Sequence, residues 1–291
     1  DGNPDNGCEA ELTTASACGV CGNVCSGATP DCVSMGGVYK CQSRVTYVND
    51  VESSNTGTNI QSPPSITFNH SLQPGTNRIV ILALAMEDIQ FTGLAGARPE
   101  TVTYGGLTMT QSVSFTGDAT NTQWARAQLF YYYLSDTGSI KLPPVPPNES
   151  LSQAIVIDGT SGNNDPFVIG ANLIQFNGVN QTTPIVAGTG MIAAATSGNV
   201  TLQNTATVTV PGSVIYALTT GQYAGNTVTP STSLTQTMAI GIVGQQNRAH
   251  SGYRGGYPTV LAPQGYTVGF TYQYSNPGVL LPVIITPVRQ P

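Results

Sequence analysis

The chain has 291 residues, a net charge of −6 and two lysines, Lys40 and Lys141. This balance provides no basic stripe for nucleic acid and no cationic patch for anionic lipid, so we expect neither as a partner. Charged residues make up 8% of the chain, well below the roughly one quarter that is usual in soluble proteins. Ser, Thr, Asn, Gln and Gly must therefore form most of the surface.

The cysteines at the start of the chain indicate its compartment. Clustering in a Gly-rich stretch predicts three disulfides and an oxidising, extracytoplasmic location, with fifteen pairings possible in principle. Zinc is the alternative, but it rests on a lone Cys-x-x-Cys pair without a second pair at ribbon spacing. The six cysteines are Cys8, Cys18, Cys21, Cys25, Cys32 and Cys41.

The first residues carry oxygen side chains at alternate positions, Asp1, Asn3 and Asp5. Calcium loops present their ligands in this way, so these three are a candidate calcium site, and no other cofactor is expected. The match is partial because Asn6 stands where an EF-type loop has Gly, and a polar turn without metal is the alternative. No transmembrane segment is evident in the sequence, so we expect no membrane insertion. The chain begins at Asp1 rather than Met, from which we expect a processed, secreted chain.

Residues 6–9 read NGCE and residues 18–25 read CGVCGNVC, with Cys32 and Cys41 following. This pattern resembles the short Cys-rich segments of surface and secreted proteins of myxobacteria and their relatives. It covers about the first seventh of the chain. The resemblance implies a secreted bacterial protein and no particular chemistry.

A change of composition after residue 43 predicts the organisation of the chain: a disulfide-stapled segment at 1–43, a linker with a first strand at 44–64, and a β-sandwich at 65–291. Arg44–Val48 is the candidate first strand, and residues 49–64 read as a Ser/Asn/Thr-rich loop. No internal repeat is evident, which argues against a solenoid or a propeller.

The apolar run Arg78–Asp88 predicts the central strand of the sandwich, buried on both faces. A helix is the rival interpretation, because Ala, Leu and Met tolerate it. Gly105-Gly106 between Thr101–Tyr104 and Leu107–Phe115 predicts a hairpin with positive φ at its turn. Further strands are expected at Ser65–His70, Gln123–Leu134, Ala154–Ile157, Val168–Phe176, Met191–Ala195, Val200–Val210, Val214–Thr219, Leu234–Val243, Tyr266–Tyr274 and Val279–Val288.

A dozen short strands with long, uneven connections predict an all-β fold, a jelly-roll-like antiparallel β-sandwich with a small disulfide-rich N-terminal segment. Residues 102–109 (VTYGGLTM), 124–134 (WARAQLFYYYL) and 176–184 (FNGVNQTTP) are similar to a β-sandwich module of bacterial extracellular proteins. That module has no assigned catalytic residues. The resemblance implies display or structure outside the cell.

Hydrolytic chemistry finds little support among the residue types present. There is no Gly-x-Ser-x-Gly elbow, and the two histidines, His70 and His250, are expected on the surface with no spacing that supports a triad. A glycosidase needs paired carboxylates. The candidate carboxylates of this chain are expected at strand ends and in turns, where a carboxylate is more often hydrated or bound to calcium than catalytic. They are Glu87, Asp88, Glu100, Asp158 and Asp165.

Carbohydrate is a possible partner in two ways. Trp124, Tyr253 and Tyr257 are candidate stacking platforms for a lectin-like site, although strand aromatics are more often packing partners. Four Asn-x-Ser/Thr sequons are glycosylation candidates, and O-linked sugar on the Thr/Ser-rich loops is an equal possibility. The sequon residues are Asn69, Asn148, Asn180 and Asn199.

The C-terminal stretch predicts assembly. It is strongly strand-forming, but Pro282 and Pro287 each remove a ladder donor, which favours an edge strand or an arm that pairs with the next subunit. We therefore expect a non-enzymatic extracellular structural protein, a self-assembling subunit of a surface fibre or layer, with a carbohydrate-binding adhesin as the alternative. The assembly candidates are Val279, Leu280, Leu281, Val283, Ile284 and Ile285.

Overall fold

The protein is all-β with antiparallel sheets, as the sequence predicts. The computed structural model describes residues 17–19, 24–25, 31–35, 38–54, 65–88, 98–118, 126–160, 167–193, 199–222, 228–230, 234–242, 247–255, 261–272 and 278–288. Among these residues there is no helix that is long and apolar enough to cross a membrane.

Twenty strands lie within the described ranges. The first eleven are β1 (Asp31–Met35), β2 (Val38–Gln42), β3 (Thr46–Ser54), β4 (Ser65–Leu72), β5 (Ile79–Asp88), β6 (Arg98–Tyr104), β7 (Leu107–Thr108), β8 (Thr110–Asp118), β9 (Arg126–Ser135), β10 (Leu151–Thr160) and β11 (Phe167–Asn177). The other nine are β12 (Ile185–Ala187), β13 (Met191–Ala193), β14 (Val200–Val208), β15 (Val214–Gln222), β16 (Val228–Pro230), β17 (Thr235–Ile242), β18 (Asn247–Gly255), β19 (Gln264–Tyr272) and β20 (Gly278–Ile285).

Strands β3–β11 form a first jelly roll and strands β12–β20 a second. In the first, the inner sheet has the order β3-β11-β5-β9-β8 and the outer sheet the order β4-β10-β6-β7. In the second, the inner sheet has the order β12-β20-β15-β18-β17, with β13 also paired to β20, and the outer sheet the order β14-β19-β16. The residues expected as one sandwich therefore form two, and β3, placed outside the sandwich by the sequence, belongs to the first.

The two jelly rolls share one topology. Eight strands of the first roll each have a counterpart at the same place in the second roll. The pairs are β3 and β12, β4 and β14, β5 and β15, β6 and β16, β8 and β17, β9 and β18, β10 and β19, and β11 and β20. The internal repeat that the sequence does not reveal is thus present in the structure. In each roll the chain crosses repeatedly between the two sheets, as in a jelly roll.

Four sheets stacked in this way enclose three apolar layers. Alternate residues of β5 point to different layers. The side chains that face the outer sheet of the first roll are Val80, Leu82, Leu84 and Met86. Those that face the second roll are Ile79, Ile81, Ala83 and Ala85. This is why the β5 sequence is apolar without alternation, and its central, doubly buried position is confirmed. Each such aliphatic side chain contributes about 1.5–3 kcal/mol by burial.

The inner sheets pack on each other about a pseudo-twofold axis. Strand β5 contacts its own counterpart β15, while β3 contacts β17, β8 contacts β13, β9 contacts β20 and β11 contacts β18. The β9–β20 and β11–β18 contacts are reciprocal under this correspondence, whereas β8 contacts β13 where the correspondence would give the neighbouring β12. This is the geometry of an isologous dimer interface, here built within one chain.

The expectation that the C-terminal stretch forms an edge strand is wrong. Strand β20 pairs with β15 on one side and with β12 and β13 on the other, and Val279, Leu280, Leu281, Val283, Ile284 and Ile285 are all buried. Pro282 is tolerated because the neighbouring strand is interrupted there: its carbonyl oxygen accepts a bond from Gly188 N, in the gap between β12 and β13. The missing proline donor therefore faces a break in the ladder.

The hairpin at Gly105-Gly106 is confirmed, with φ of 57° and 78° at the two glycines. The strand expected to follow it divides at Met109. This side chain is buried, and its N–H donates to Val102 O, so β7 stays in the outer sheet while β8 crosses to the inner sheet.

Candidate functional site

Residues 177–184, which we name the clasp, connect the two jelly rolls. They include all but the first residue of the 176–184 run that the sequence singles out. Gln181 lies at its centre: its Oε1 accepts a bond of 2.9 Å from Asp136 N, and its Nε2 donates to Val179 O at 2.8 Å and Arg78 O at 3.3 Å. Gly178 N and Val179 N donate to Thr76 O and Asn77 O. The clasp is thereby fastened to the first roll.

The same segment is fastened to the second roll through Thr286. The Thr286 hydroxyl donates to Thr183 O at 2.7 Å, Thr286 N donates to Pro184 O, and Asn180 N donates to Thr286 O. The Asn180 Oδ1 atom accepts bonds from the backbone N–H groups of Thr182 and Thr183, closing a local turn. The polar residues of the module-like run are therefore occupied by scaffold contacts.

The segment after the cysteines joins the clasp at the same place. Ser43 Oγ donates to Gly178 O at 2.7 Å, and Ser43 N donates to Val288 O. Gly178 has a φ of 74°, and a Cβ there would collide with the carbonyl oxygen of Arg44. Three distant parts of the chain thus meet around one glycine.

Arg78 and Asp136 form a nearly buried ion pair beside the clasp, with Nη2 and Oδ1 at 2.7 Å. Asp136 also accepts bonds from the Arg78 backbone N and Nε, and Arg78 Nη2 donates to Pro143 O. A pocket open to solvent lies next to the pair and is bordered by Lys141. Because the carboxylate and backbone carbonyls occupy the guanidinium, this pair anchors the start of β5 and the Pro-rich loop.

A second polar group lies between the inner sheets, where the apolar layer would be expected to continue. The Asn172 Oδ1 atom accepts hydrogen bonds from the hydroxyls of Tyr216, Ser251 and Thr237, the last two at 3.1 Å. Its Nδ2 donates to Asp50 Oδ2 at 3.3 Å. Asn172, Tyr216 and Ser251 are fully buried, and burial raises the pKa of the Tyr216 phenol. This network fixes β11 against β15, β17 and β18.

The expectation that both histidines are surface residues is wrong: His70 is 2% exposed and His250 is 5% exposed. His70 Nδ1 lies 2.8 Å from Tyr104 Oη, and Nε2 lies 2.9 Å from Asn49 Oδ1. Because the amide oxygen can only accept, Nε2 carries the proton and the phenol donates to Nδ1. Burial lowers the His70 pKa to about 4, so the imidazole is neutral at pH 7.

The aromatic candidates for carbohydrate binding are only partly within the described residues. Tyr253 stacks on Tyr47 with ring centroids 4.9 Å apart and packs edge-on against Phe176. One face of its ring is therefore covered by protein. Trp124 and Tyr257 lie outside the described residues.

Two disulfides lie within the part of the chain that the structure describes, Cys18–Cys32 and Cys25–Cys41. Cys18, the first cysteine of the Cys-x-x-Cys pair, is bonded to Cys32. The sulfurs of Cys18, Cys25 and Cys41 lie close together, but each belongs to a disulfide. Cys8, Cys21 and the calcium candidates Asp1, Asn3 and Asp5 lie outside the described residues.

The four sequon residues occupy different environments. Asn69 is exposed on β4, Asn148 is exposed in the Pro-rich loop with a φ of 64°, and Asn199 is exposed before β14. Asn180 is half-buried, and its side chain closes the turn within the clasp. The first three thus present accessible side-chain amides.

Among the carboxylates considered for hydrolysis, Asp158 accepts a 2.9 Å bond from the Thr101 hydroxyl across the outer sheet. Asp165 lies outside the described residues. No family model, curated protein or solved structure matches this chain. The assignment of function therefore rests on the residues and contacts of the chain itself.

Proposed function

We propose that this chain is a non-enzymatic structural protein of the extracellular space of a bacterium, which self-associates into a fibre or layer. The two disulfides support an oxidising environment. The scarcity of charge leaves little electrostatic repulsion between copies. Glycosylation at exposed sequons such as Asn148 and Asn199 is compatible with this role.

The observation that carries the proposal is that the clasp residues form hydrogen bonds to both jelly rolls. The clasp is fastened to the first roll by Gln181 and Gly178 and to the second roll by its bonds with Thr286. Asn172 links the inner sheets. The polar residues that most resemble a binding site therefore form hydrogen bonds that make the structure rigid. A stiff block of four sheets suits a load-bearing or layer-forming subunit, because little free energy is lost in ordering it on assembly.

Electron microscopy of the oxidised, full-length protein over a range of concentrations tests this proposal. Ordered filaments or sheets are the expected result. Dispersed single particles at every concentration would contradict it, and a glycan array would then examine the adhesin alternative.

A further inference from the structure

Eight sheet edges terminate the four stacked sheets within the described residues, and edges are the sites at which β proteins associate. Four strands at these edges are short: β7 has two residues, and β12, β13 and β16 have three each. Such strands offer few backbone groups to a partner. The long edge strands are β3, β4, β8, β14 and β17.

Four of the five long edge strands carry a device that hinders pairing with a second copy. Strand β3 carries the carboxylates Asp50 and Glu52, which would repel the same edge of another molecule. Strand β4 is capped by the Asn49 side chain, whose Nδ2 donates to Ser71 O at 2.8 Å. These contacts guard one edge of each sheet of the first roll.

The second roll guards its edges with amide side chains. On β14, Asn204 Oδ1 accepts from Thr205 N, and Asn204 Nδ2 donates to Thr189 O. On β17, Gln236 Nε2 donates to Met238 O at 3.1 Å, next to a β-bulge. Side chains that bond the backbone compete with an incoming strand.

Strand β8 carries fewer of these devices between Thr110 and Gly117, because its one carboxylate, Asp118, is the last residue of the strand. It is nine residues long, and among the described strands it pairs only with β9. Charged residues and proline are absent from Thr110 to Gly117, and its exposed side chains are Thr110, Gln111, Ser112, Ser114 and Thr116. A bulge interrupts the register between Gln111 and Val113, but the pairing is regular from Val113 to Asp118. Half-buried Val113 and Phe115 pack against the inner core and hold the strand in place.

We propose that β8 is the self-association edge of this protein and that its occupant is β8 of a second copy, paired antiparallel about a twofold axis. The contact joins two five-stranded inner sheets into one continuous sheet by strand addition. Charge supports this occupant, because the paired segments are neutral whereas the β3 edge would oppose like charges. This inference rests on the proposed function, since it specifies how copies first associate; growth beyond pairs needs a further contact.

The test compares the wild-type chain with the double variant Ser114→Lys, Thr116→Lys. In an antiparallel twofold contact each lysine meets the lysines of the partner, so we expect self-association to weaken at least about tenfold. The control is Thr205→Lys, Thr207→Lys on the guarded edge strand β14, where both threonines are also exposed. Both variants change the net charge equally.

Sedimentation velocity over a concentration series gives the readout for all three proteins. Association of the wild type and the control with loss in the β8 variant supports the proposal. Equal association of all three proteins overturns the β8 contact and leaves the proposed function standing. A wild-type chain that stays monomeric overturns both.

Hydrogen exchange of the wild-type protein provides a measurement that does not depend on how the variants fold. The β8 contact predicts that amides between Val113 and Gly117 become protected as the concentration rises, while those of β14 do not change. Protection of β8 that is independent of concentration, in a sample that associates, overturns the proposal.

Discussion

The Tyr131 hydroxyl of the first jelly roll donates a 2.9 Å hydrogen bond to the Leu281 carbonyl oxygen of the second. The pseudo-twofold axis produces a reciprocal contact, in which Ser251 of the second roll donates a 3.1 Å bond to Asn172 of the first. The register explains the correspondence: Ala83 of β5 lies opposite Tyr131 and Asn172, and Leu218 of β15 lies opposite Ser251 and Leu281. The two rolls are therefore joined by equivalent positions that carry different side chains.

Replacing Tyr131 by Phe should lower the free energy of unfolding by about 1–2 kcal/mol. The buried carbonyl oxygen of Leu281 would lose this donor in an apolar layer. Chemical denaturation measures the change. Tyr133→Phe, at the half-buried rim of the same strand, is the control and should cost no more than about 0.5 kcal/mol. Equal effects of the two variants would contradict the role given to Tyr131.

Asn172→Leu should be more damaging, at about 3 kcal/mol. It leaves the hydroxyls of Tyr216, Ser251 and Thr237 without the oxygen that they share, and a buried donor without an acceptor carries its full desolvation cost. Asn69→Leu, on an exposed position of β4, is the control for the same change of side chain. A loss below about 1 kcal/mol at Asn172 would show that the network adds little.

Gly178→Ala tests the clasp, with Gly106→Ala as a matched control. Both glycines have positive φ, 74° and 78° respectively, so both variants carry the cost of placing Ala in that conformation, about 1–2 kcal/mol. At Gly178 the added methyl also collides with Arg44 O, whereas at Gly106 no atom lies within 4 Å. Thermal unfolding should show a clearly larger loss for Gly178→Ala, and similar losses would count against the clasp.

The buried His70 predicts a pH dependence of stability. Its pKa falls from 6.5 to about 4 on folding because burial disfavours the imidazolium, so the unfolded chain binds the proton more tightly. Above about pH 6.5 His70 does not lower the free energy of unfolding. As the pH falls from 6.5 towards 4, the free energy of unfolding decreases by about 3 kcal/mol in total, because the unfolded chain takes up the proton first. His70→Gln should make the unfolding free energy less dependent on pH in this window. An unchanged slope would refute the prediction.

Much of the fold was predictable because buried positions of a strand must carry apolar residues, and this pattern is visible in the sequence. The run from Ile79 to Asp88 is apolar at every step, since one face of β5 packs on the outer sheet and the other on the second roll. Gly105-Gly106 indicated its hairpin because only glycine adopts positive φ cheaply at both turn positions. These signals are local, so they can be recognised without knowing which strands pair with one another.

The repeat and the C-terminal strand were not predictable for physical reasons. Equivalent positions of the two rolls carry different chemistry, as Asn172 and Leu281 do, because one supplies a polar network and the other a backbone acceptor. Pro282 reads as an edge residue, yet the break between β12 and β13 lets it lie in the interior of a sheet. Both features depend on neighbours that are distant in sequence.

The candidate site was recognised as a motif but its role was not. Residues 176–184 stood out in the sequence, although nothing local indicated that the Gln181 amide bonds the backbones of Arg78 and Asp136. The histidines were placed at the surface because isolated polar residues usually lie there. Asn172 and Gln175, in the largely apolar strand β11, are residues whose sequence context could have indicated buried polar contacts.

Sedimentation velocity of the oxidised, wild-type 291-residue chain tests the central claim most directly. The proposal predicts a sedimentation coefficient that rises with concentration as copies associate. A single species of the monomer mass, 30.2 kDa, at every concentration would contradict a self-associating structural role.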